Sequence, residues 1–478
     1  MPDIVSRRSF LTGALTLLAR AAPQPQPLNF VFILIDDMGW SDLGCYGSTF
    51  YETPNIDRFA RESMRFTNAY AACPVCSPTR ASIMTGQYPA RLRLTDWIPG
   101  RPQWPSARLI TPPFRQELPL DEPIIPQALK PRGYASASIG KWHLGGPAFY
   151  PDKHGFDLNV AGTERGSPQS YFGPFDLPNL KGGARDEYLT DRLTVEAEKF
   201  IEANRDRPFF LYLPEFAVHL PEQAKGETVA RFRAKADPAN PQHDPVYAAM
   251  ISSVDDNVGR ILKKLDSLGI AGHTAVIFMS DNGGLVYEGK RKEAVTSNAP
   301  LRAGKGHLYE GGIREPMMVR WPGVTRAGTV CDVPVSSIDF FPTILEMAAV
   351  PPRAPVDGVS LAPLLRGRGS IGREALYWHY PHYSNQGGPP AGAVRAGNYK
   401  LIEFFEDGRL ELYDLANDIG EANDLARRDP KRTAQMHEML KRWRASVNAA
   451  MPAANPKYDP ATADQGLAGE NPKPVRRR

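Results

Sequence analysis

The chain has 478 residues, enough for one large domain and a smaller one. Hydrophobic residues make up 42% and charged residues 23%, and the formal charge of +4 is too small to argue for a nucleic-acid partner. No apolar run reaches the length that spans a bilayer, so no stable membrane anchor is expected.

The first element is a targeting segment. Ser6-Arg7-Arg8-Ser9-Phe10-Leu11 is a twin-arginine pattern, followed by a weakly apolar stretch to Leu18 and the small-residue site Ala19-Arg20-Ala21. Residues 1–27 are read as an export signal and linker for the twin-arginine translocase, with a periplasmic or secreted destination in a bacterium. Beyond it, strand-like apolar runs alternate with helical patterns, the sign of an α/β fold. Phe30 to Ile35 reads as a buried strand ending in Asp36-Asp37. Leu189, Leu193, Ala197, Phe200 and Ile201 recur at helical spacing, and Pro208 to Leu213 reads as the next strand. Asp244-Pro245 is a helix-start signal for an apolar face of Tyr247, Met250, Ile251, Val254, Val258, Ile261 and Leu265. Ala275 to Met279 is a strand running into Ser280-Asp281-Asn282-Gly283-Gly284. Acidic residues thus follow the carboxyl ends of two strands, where ligands bind in open α/β sheets.

A Pro-rich stretch from Val350 to Pro363 suggests a linker, placing the main domain at 28–365. Gly392 to Phe405 and Arg409 to Tyr413 alternate as a small antiparallel sheet would, and a helix is expected near Lys431 to Val447, giving a C-terminal unit at 366–450. Residues 451–478, rich in Pro, Ala, Asn and charge, are expected to be disordered.

The four cysteines are Cys45, Cys73, Cys76 and Cys331, too few for a disulfide scaffold. Cys73-Pro74-Val75-Cys76 is a C-x-x-C, which a thioredoxin-like redox pair would also show, and a purely structural cysteine is a further alternative. Neither role requires the particular residues around the second cysteine, Val75-Cys76-Ser77-Pro78-Thr79-Arg80-Ala81-Ser82-Ile83-Met84-Thr85-Gly86. This stretch resembles the first signature of the formylglycine-dependent sulfatases, and Gly133-Tyr134-Ala135-Ser136-Ala137-Ser138-Ile139-Gly140-Lys141-Trp142-His143 resembles the second. The resemblance spans roughly Asn29 to Ala426. It implies an alkaline-phosphatase-like fold, a large mixed central sheet flanked by helices, with a smaller C-terminal α+β domain built on an antiparallel sheet.

By the same resemblance, Cys76 would be oxidised to 3-oxoalanine (formylglycine) by a formylglycine-generating enzyme, and the hydrated aldehyde would be the nucleophile. Asp36, Asp37, Asp281 and Asn282, with the modified Cys76, look like the ligands of one divalent cation, and an all-oxygen shell favours Ca²⁺. Arg80 matches the residue that holds the hydrated aldehyde. Lys141, His143, His219 and Lys305 match the groups around the sulfate, with His219 or Lys305 as proton donor to the leaving oxygen and His143 as the base that opens the sulfated intermediate.

For the substrate, Trp97 and Arg101 after the first signature, and His379 and His382 at the start of the C-terminal unit, are candidate rim residues. Aromatic and His side chains there suit a sulfated saccharide, with small aryl sulfates as activated surrogates. A phosphoester or phosphonate ester hydrolase of the same superfamily, or an inactive carbohydrate-binding relative, are the alternatives.

Overall fold

The computed structural model describes residues 27–463 apart from 178, 181, 287–293 and 353–355. The export-signal reading therefore lies outside the described residues. No helix among the described residues is long and apolar enough to cross a membrane.

A nine-stranded sheet organises the larger unit. Its central strand is Asn29–Ile35, paired in parallel with Thr274–Ser280 on one side and Phe209–Pro214 on the other. Outward from Phe209–Pro214 come Ala135–Ile139 and then Leu158–Val160, both parallel. Outward from Thr274–Ser280 lies Arg314–Arg320, the one antiparallel strand, followed by Met64–Tyr70, whose far edge is shared by Thr329–Cys331 and Val335–Ser336.

Both faces of the central strand are buried, so it reads as a continuous apolar run. Its side chains still alternate. Val31, Ile33 and Ile35 pack into one core, and Phe30, Phe32 and Leu34 into the other. The first core is roofed by helices Pro54–Glu62, Leu189–Ala203 and Pro245–Ser267. The last begins as the sequence predicts: the Asp244 carboxylate accepts from the backbone N–H of Val246 and Tyr247, with Pro245 at the first helical position. The second core takes helices Cys76–Thr85 and Phe340–Met347.

The C-terminal unit is the expected antiparallel sheet, Leu376–Tyr380, Ala391–Ala396, Tyr399–Phe404 and Leu410–Asp414, with helix Pro430–Ser446 against it. It shares a core with the larger unit, in which Trp378, Tyr380, Ile402 and Tyr413 pack with Tyr70, Cys73, Val75 and Ile313. The expected disordered tail is corrected for residues 451–463. Ala453–Ala454 pairs with Leu109–Ile110, Asn455 N–H donates to the Arg108 carbonyl at 3.2 Å, and Trp104 Nε1 donates to the Ala463 carbonyl at 3.0 Å. Edge pairing with the 104–110 segment supplies the hydrogen bonds that composition alone does not reveal. Residues 464–478 lie outside the described residues.

Candidate active site

Six segments meet at one edge of the sheet because five parallel-running strands end there and the antiparallel one begins there. Asp36-Asp37 and Asp281-Asn282 follow adjacent strands whose ends, Ile35 and Ser280, are in register. Lys141 and His143 follow Ala135–Ile139, and His219 follows Phe209–Pro214. Cys76 opens its helix just beyond Met64–Tyr70, and Lys305 precedes the antiparallel strand Arg314–Arg320. Tight backbone packing sets their positions. Gly140 has φ +124°, and a Cβ there would fall 1.9 Å from the Pro214 carbonyl oxygen, which accepts from Lys141 N–H at 2.7 Å. Gly283 lies equally close to Gly311, bringing the Asp281 loop against the segment that carries Lys305.

The charged groups interlock. Lys141 Nζ donates to Asp36 Oδ2 at 2.7 Å, and Lys305 Nζ lies 2.7 Å from Asp37 Oδ1 and 2.8 Å from Oδ2. Arg80 is fully buried; its Nε donates to Asp281 Oδ2 at 2.8 Å and its Nη1 to the Lys141 carbonyl at 2.7 Å. Arg80 Nη2 stands 3.8 Å from Asp36 Oδ1, too far to donate, and both atoms lack a hydrogen-bond partner. The Asn282 amide nitrogen donates to Asp37 Oδ1 and the Gly283 carbonyl, which leaves Asn282 Oδ1 buried and unpartnered.

Buried acceptor oxygens without donors fit a cation. Ligand atoms of Asp36, Cys76 and Asp281 lie within 4.8 Å of one another, as do those of Asp36, Asp37 and His219. Burial, with Asp281 and Asp37 beside it, pushes the Asp36 carboxyl up to about 7 despite Lys141. Burial also works against the Asp37 carboxylate, but Lys305, His219 and Lys141 outweigh it and hold it well below the usual range. A divalent cation would relieve this crowding of carboxylates.

Cys76 is buried, and burial raises its thiol above the ordinary value; the Cys73 thiol is raised well above it. A redox or nucleophilic cysteine needs the opposite shift, which speaks against a thioredoxin-like pair. His143 Nε2 lies 2.6 Å from the Ile98 carbonyl oxygen. A carbonyl only accepts, so Nε2 carries the proton and Nδ1, buried and without a partner, is the free lone pair. Burial first, then Lys141, holds His143 well below its ordinary value, so the ring is neutral. His219 points Nε2 at Asp37 Oδ2, 3.6 Å away, and burial with Lys305 lowers it to about 3. Lys305 stays charged: burial opposes it, but Asp37 raises it above the ordinary range.

A cavity of about 490 Å³ opens over Cys76, His143, His219 and Lys305. Of the four expected rim residues, Trp97 lines it. The other three do not. Arg101 donates to the Ser384 carbonyl at 3.0 Å and stacks on Trp104, with its guanidinium carbon 4.7 Å from the ring centroid. The buried His379 ring lies 2.8 Å from the Ala450 carbonyl oxygen, and buried His382 is 2.8 Å from Thr95 Oγ1. Arg101 and His382 are taken up at the junction between the two units, and His379 inside the C-terminal unit. Ile98 and Pro99, from the same segment as Trp97, line the cavity too, and sequence reasoning missed Glu164, Arg165, Gly166 and Ser167 after the edge strand Leu158–Val160, and Asn385 and Gln386 from the C-terminal unit. That three-residue strand carries no periodicity to announce the loop after it, although such loops sit at the ligand-binding edge.

A family model described as Sulfatase matches residues 28–350, and one described as N-sulphoglucosamine sulphohydrolase, C-terminal, matches residues 303–447. The chain is 36% identical to N-acetylgalactosamine-6-sulfatase of Rattus norvegicus, over 81% of this chain and 73% of that protein. It is 32% identical to arylsulfatase A of Homo sapiens, over 91% of each. It also resembles the solved structure of Ps i-CgsB in complex with k-i-k-neocarrahexaose, with TM-score 0.75 and 28% identity, covering 94% of this chain and 98% of that one.

Proposed function

The chain belongs to the sulfatase family and is a sulfuric ester hydrolase, and from that premise we propose that it desulfates a sulfated carbohydrate, using a formylglycine made from Cys76 beside a calcium ion. The observation that carries the mechanism is the pair of buried, unpartnered oxygens on Asp36 and Asn282, with ligand atoms of Asp36 and Asp281 gathered beside Cys76 at a cavity lined by Lys305, His143 and His219. Here the Cys76 sulfur marks where the two hydroxyls of the hydrated aldehyde would stand. A divalent cation held by Asp36, Asp37, Asp281 and Asn282 would polarise a sulfate oxygen and favour loss of the nucleophile's proton. The irregular, carboxylate-rich oxygen shell suits Ca²⁺ better than Mg²⁺.

One hydroxyl of residue 76 attacks the sulfur, its proton passing to a carboxylate beside it, Asp36 or Asp281, and the S–O bond to the alcohol breaks as His219 or Lys305 supplies a proton to the leaving oxygen. Lys141 and Lys305 balance charge that spreads over the sulfuryl oxygens. His143 Nδ1 then takes the proton of the second hydroxyl. The carbonyl re-forms, the C–O bond to sulfate breaks with its electron pair leaving on sulfate, and water rehydrates the aldehyde. Cys76 is too buried to meet an oxidising enzyme in the folded protein, so maturation must precede folding. The Arg7-Arg8 pattern suits that order, because twin-arginine export carries folded cargo.

The carbohydrate reading rests on the cavity wall, which combines the Trp97 ring with the hydrogen-bonding groups of Glu164, Arg165, Asn385 and Gln386. The names of the rat relative and of the k-i-k-neocarrahexaose complex support it. Mass spectrometry of the Cys76 peptide from the native host should show a loss of about 18 Da against the thiol, the exchange of SH₂ for O that generates the aldehyde nucleophile. Cys76→Ala should be folded and inactive; substantial turnover by it would end this mechanism. A desulfation screen on sulfated mono- and oligosaccharides identifies the sugar, and failure across the panel with nitrophenyl sulfate still cleaved would remove the carbohydrate reading.

A further inference from the structure

The cavity wall that carries Trp97 is held in place from outside the catalytic sheet. Residues 93–103 lie in no helix or strand. Ser77, the residue after the nucleophile, accepts from Ile98 N–H at 3.2 Å. Asp96 Oδ1 accepts from Trp97 N–H at 2.9 Å and from the Tyr380 hydroxyl at 2.9 Å. Thr95 meets His382, and Arg101 reaches the Ser384 carbonyl. Tyr380, His382 and Ser384 all belong to the C-terminal unit or its edge, and Asp96 and Tyr380 are both buried.

These contacts pin two successive N–H groups, those of Trp97 and Ile98. The Ile98 N–H and the Ile98 carbonyl lie in successive peptide planes joined at Cα; with that N–H held by Ser77 and the Ile98 side chain buried in the core, little freedom remains for the carbonyl, the group that lies 2.6 Å from His143 Nε2. Gly166 packs against the imidazole, where a Cβ would fall 2.7 Å from Cε1 and 2.9 Å from Nε2, so only glycine leaves the ring its place there. The Ile98 carbonyl therefore decides which ring nitrogen keeps its proton. If it moves, the ring loses the bond that leaves Nδ1 free as a base.

We propose that Tyr380 and Asp96 are positioning residues for His143, through which the C-terminal unit holds the Ile98 carbonyl against Nε2 and keeps Nδ1 in place for the second half of the reaction. The inference rests on the reading of His143 as the base that opens the sulfated residue 76. It assigns the C-terminal unit a share in the chemistry beyond lining the cavity.

The test is Tyr380→Phe in fully matured enzyme, with Asp96→Asn as the second variant should the first fold poorly. Nitrophenyl sulfate is the probe, because its leaving group needs no proton and the second step is then exposed. The expected result is a fall in kcat of about tenfold, part of the ~10²–10⁴ that a general base is typically worth. KM should fall with it and kcat/KM should hold, because kcat/KM reports the first step. Covalent sulfate should accumulate on residue 76, read as added mass on the intact protein. A loss of kcat/KM without adduct, or unchanged kinetics in a folded variant, overturns the proposal. His143→Ala separates the two levels. No adduct there sinks the base assignment itself, whereas adduct there and none in Tyr380→Phe sinks only the positioning role.

Discussion

At the scale of single residues, the open question is which cation serves the leaving oxygen. His219, lowered to about 3 in the bare site, gives up its proton too readily to hold it until sulfate binds, while Lys305 is charged and fixed by Asp37. Replacing the true donor should slow a sugar sulfate by about 10²–10⁴ and nitrophenyl sulfate far less, because nitrophenolate departs without a proton. Lys305→Ala and His219→Ala compared on both substrates decide it. Equal losses on the two would assign the residue to gripping sulfate oxygens. For the cation, Asp281→Asn should abolish Ca²⁺-dependent thermal stabilisation and most turnover, since it removes charge from the ligand set. Measured calcium that stays stoichiometric in Asp281→Asn would place the ion elsewhere.

At the scale of elements, the proposed catalytic side chains sit on strand-to-loop transitions that leave little backbone freedom. Gly140→Ala forces a Cβ into the Pro214 carbonyl at a residue with φ +124°. A strained backbone of this kind costs roughly 1–3 kcal/mol, and relief requires Lys141 to move away from Asp36. Both chemical stability and kcat/KM should therefore fall, checked by urea unfolding and nitrophenyl sulfate turnover. Full activity in Gly140→Ala would show that Lys141 tolerates displacement. The same elements explain what could be read in the sequence. Phe30 to Ile35 and Ala275 to Met279 were legible because buried parallel strands are continuous apolar runs, and the acidic residues after them marked the site. Leu158–Val160 was not, because three residues carry no periodicity, and the Glu164–Ser167 wall was lost with it. His379 and His382 share a strand and its exit with Tyr380, and residue type could not tell a cavity rim from packing inside the C-terminal unit, where His379 sits, or from the contact between units, where His382 sits.

At the scale of the molecule, the two units are joined by buried charge as well as by apolar packing. Lys400 Nζ of the C-terminal sheet lies 2.9 Å from Glu310 Oε1 and 2.9 Å from Glu421 Oε1, all fully buried. Glu310 also accepts from the Tyr70 hydroxyl at 2.7 Å, and its N–H donates to Glu421 Oε2 at 2.6 Å. Glu310 stands only a few residues beyond Lys305, so this cluster sets the C-terminal unit against the segment that feeds the active site. Burial pushes Glu421 up to about 7, Glu310 adds to the shift, and Lys400 opposes it. Lys400→Met removes the shared cation and leaves two buried carboxyls facing each other, a loss of about 3–5 kcal/mol for a broken buried pair. The cost must depend on pH. Without Lys400 the folded-state value of Glu421 climbs further above its unfolded value, so the variant's stability is retained at acid pH and lost as pH rises toward the folded value. Thermal unfolding of wild type and Lys400→Met should therefore show a gap that widens as pH rises above about 7, where Glu421 ionises in the wild-type fold and not in the variant's. A constant gap would leave Lys400 with a packing role alone and return the docking of the two units to their shared apolar core.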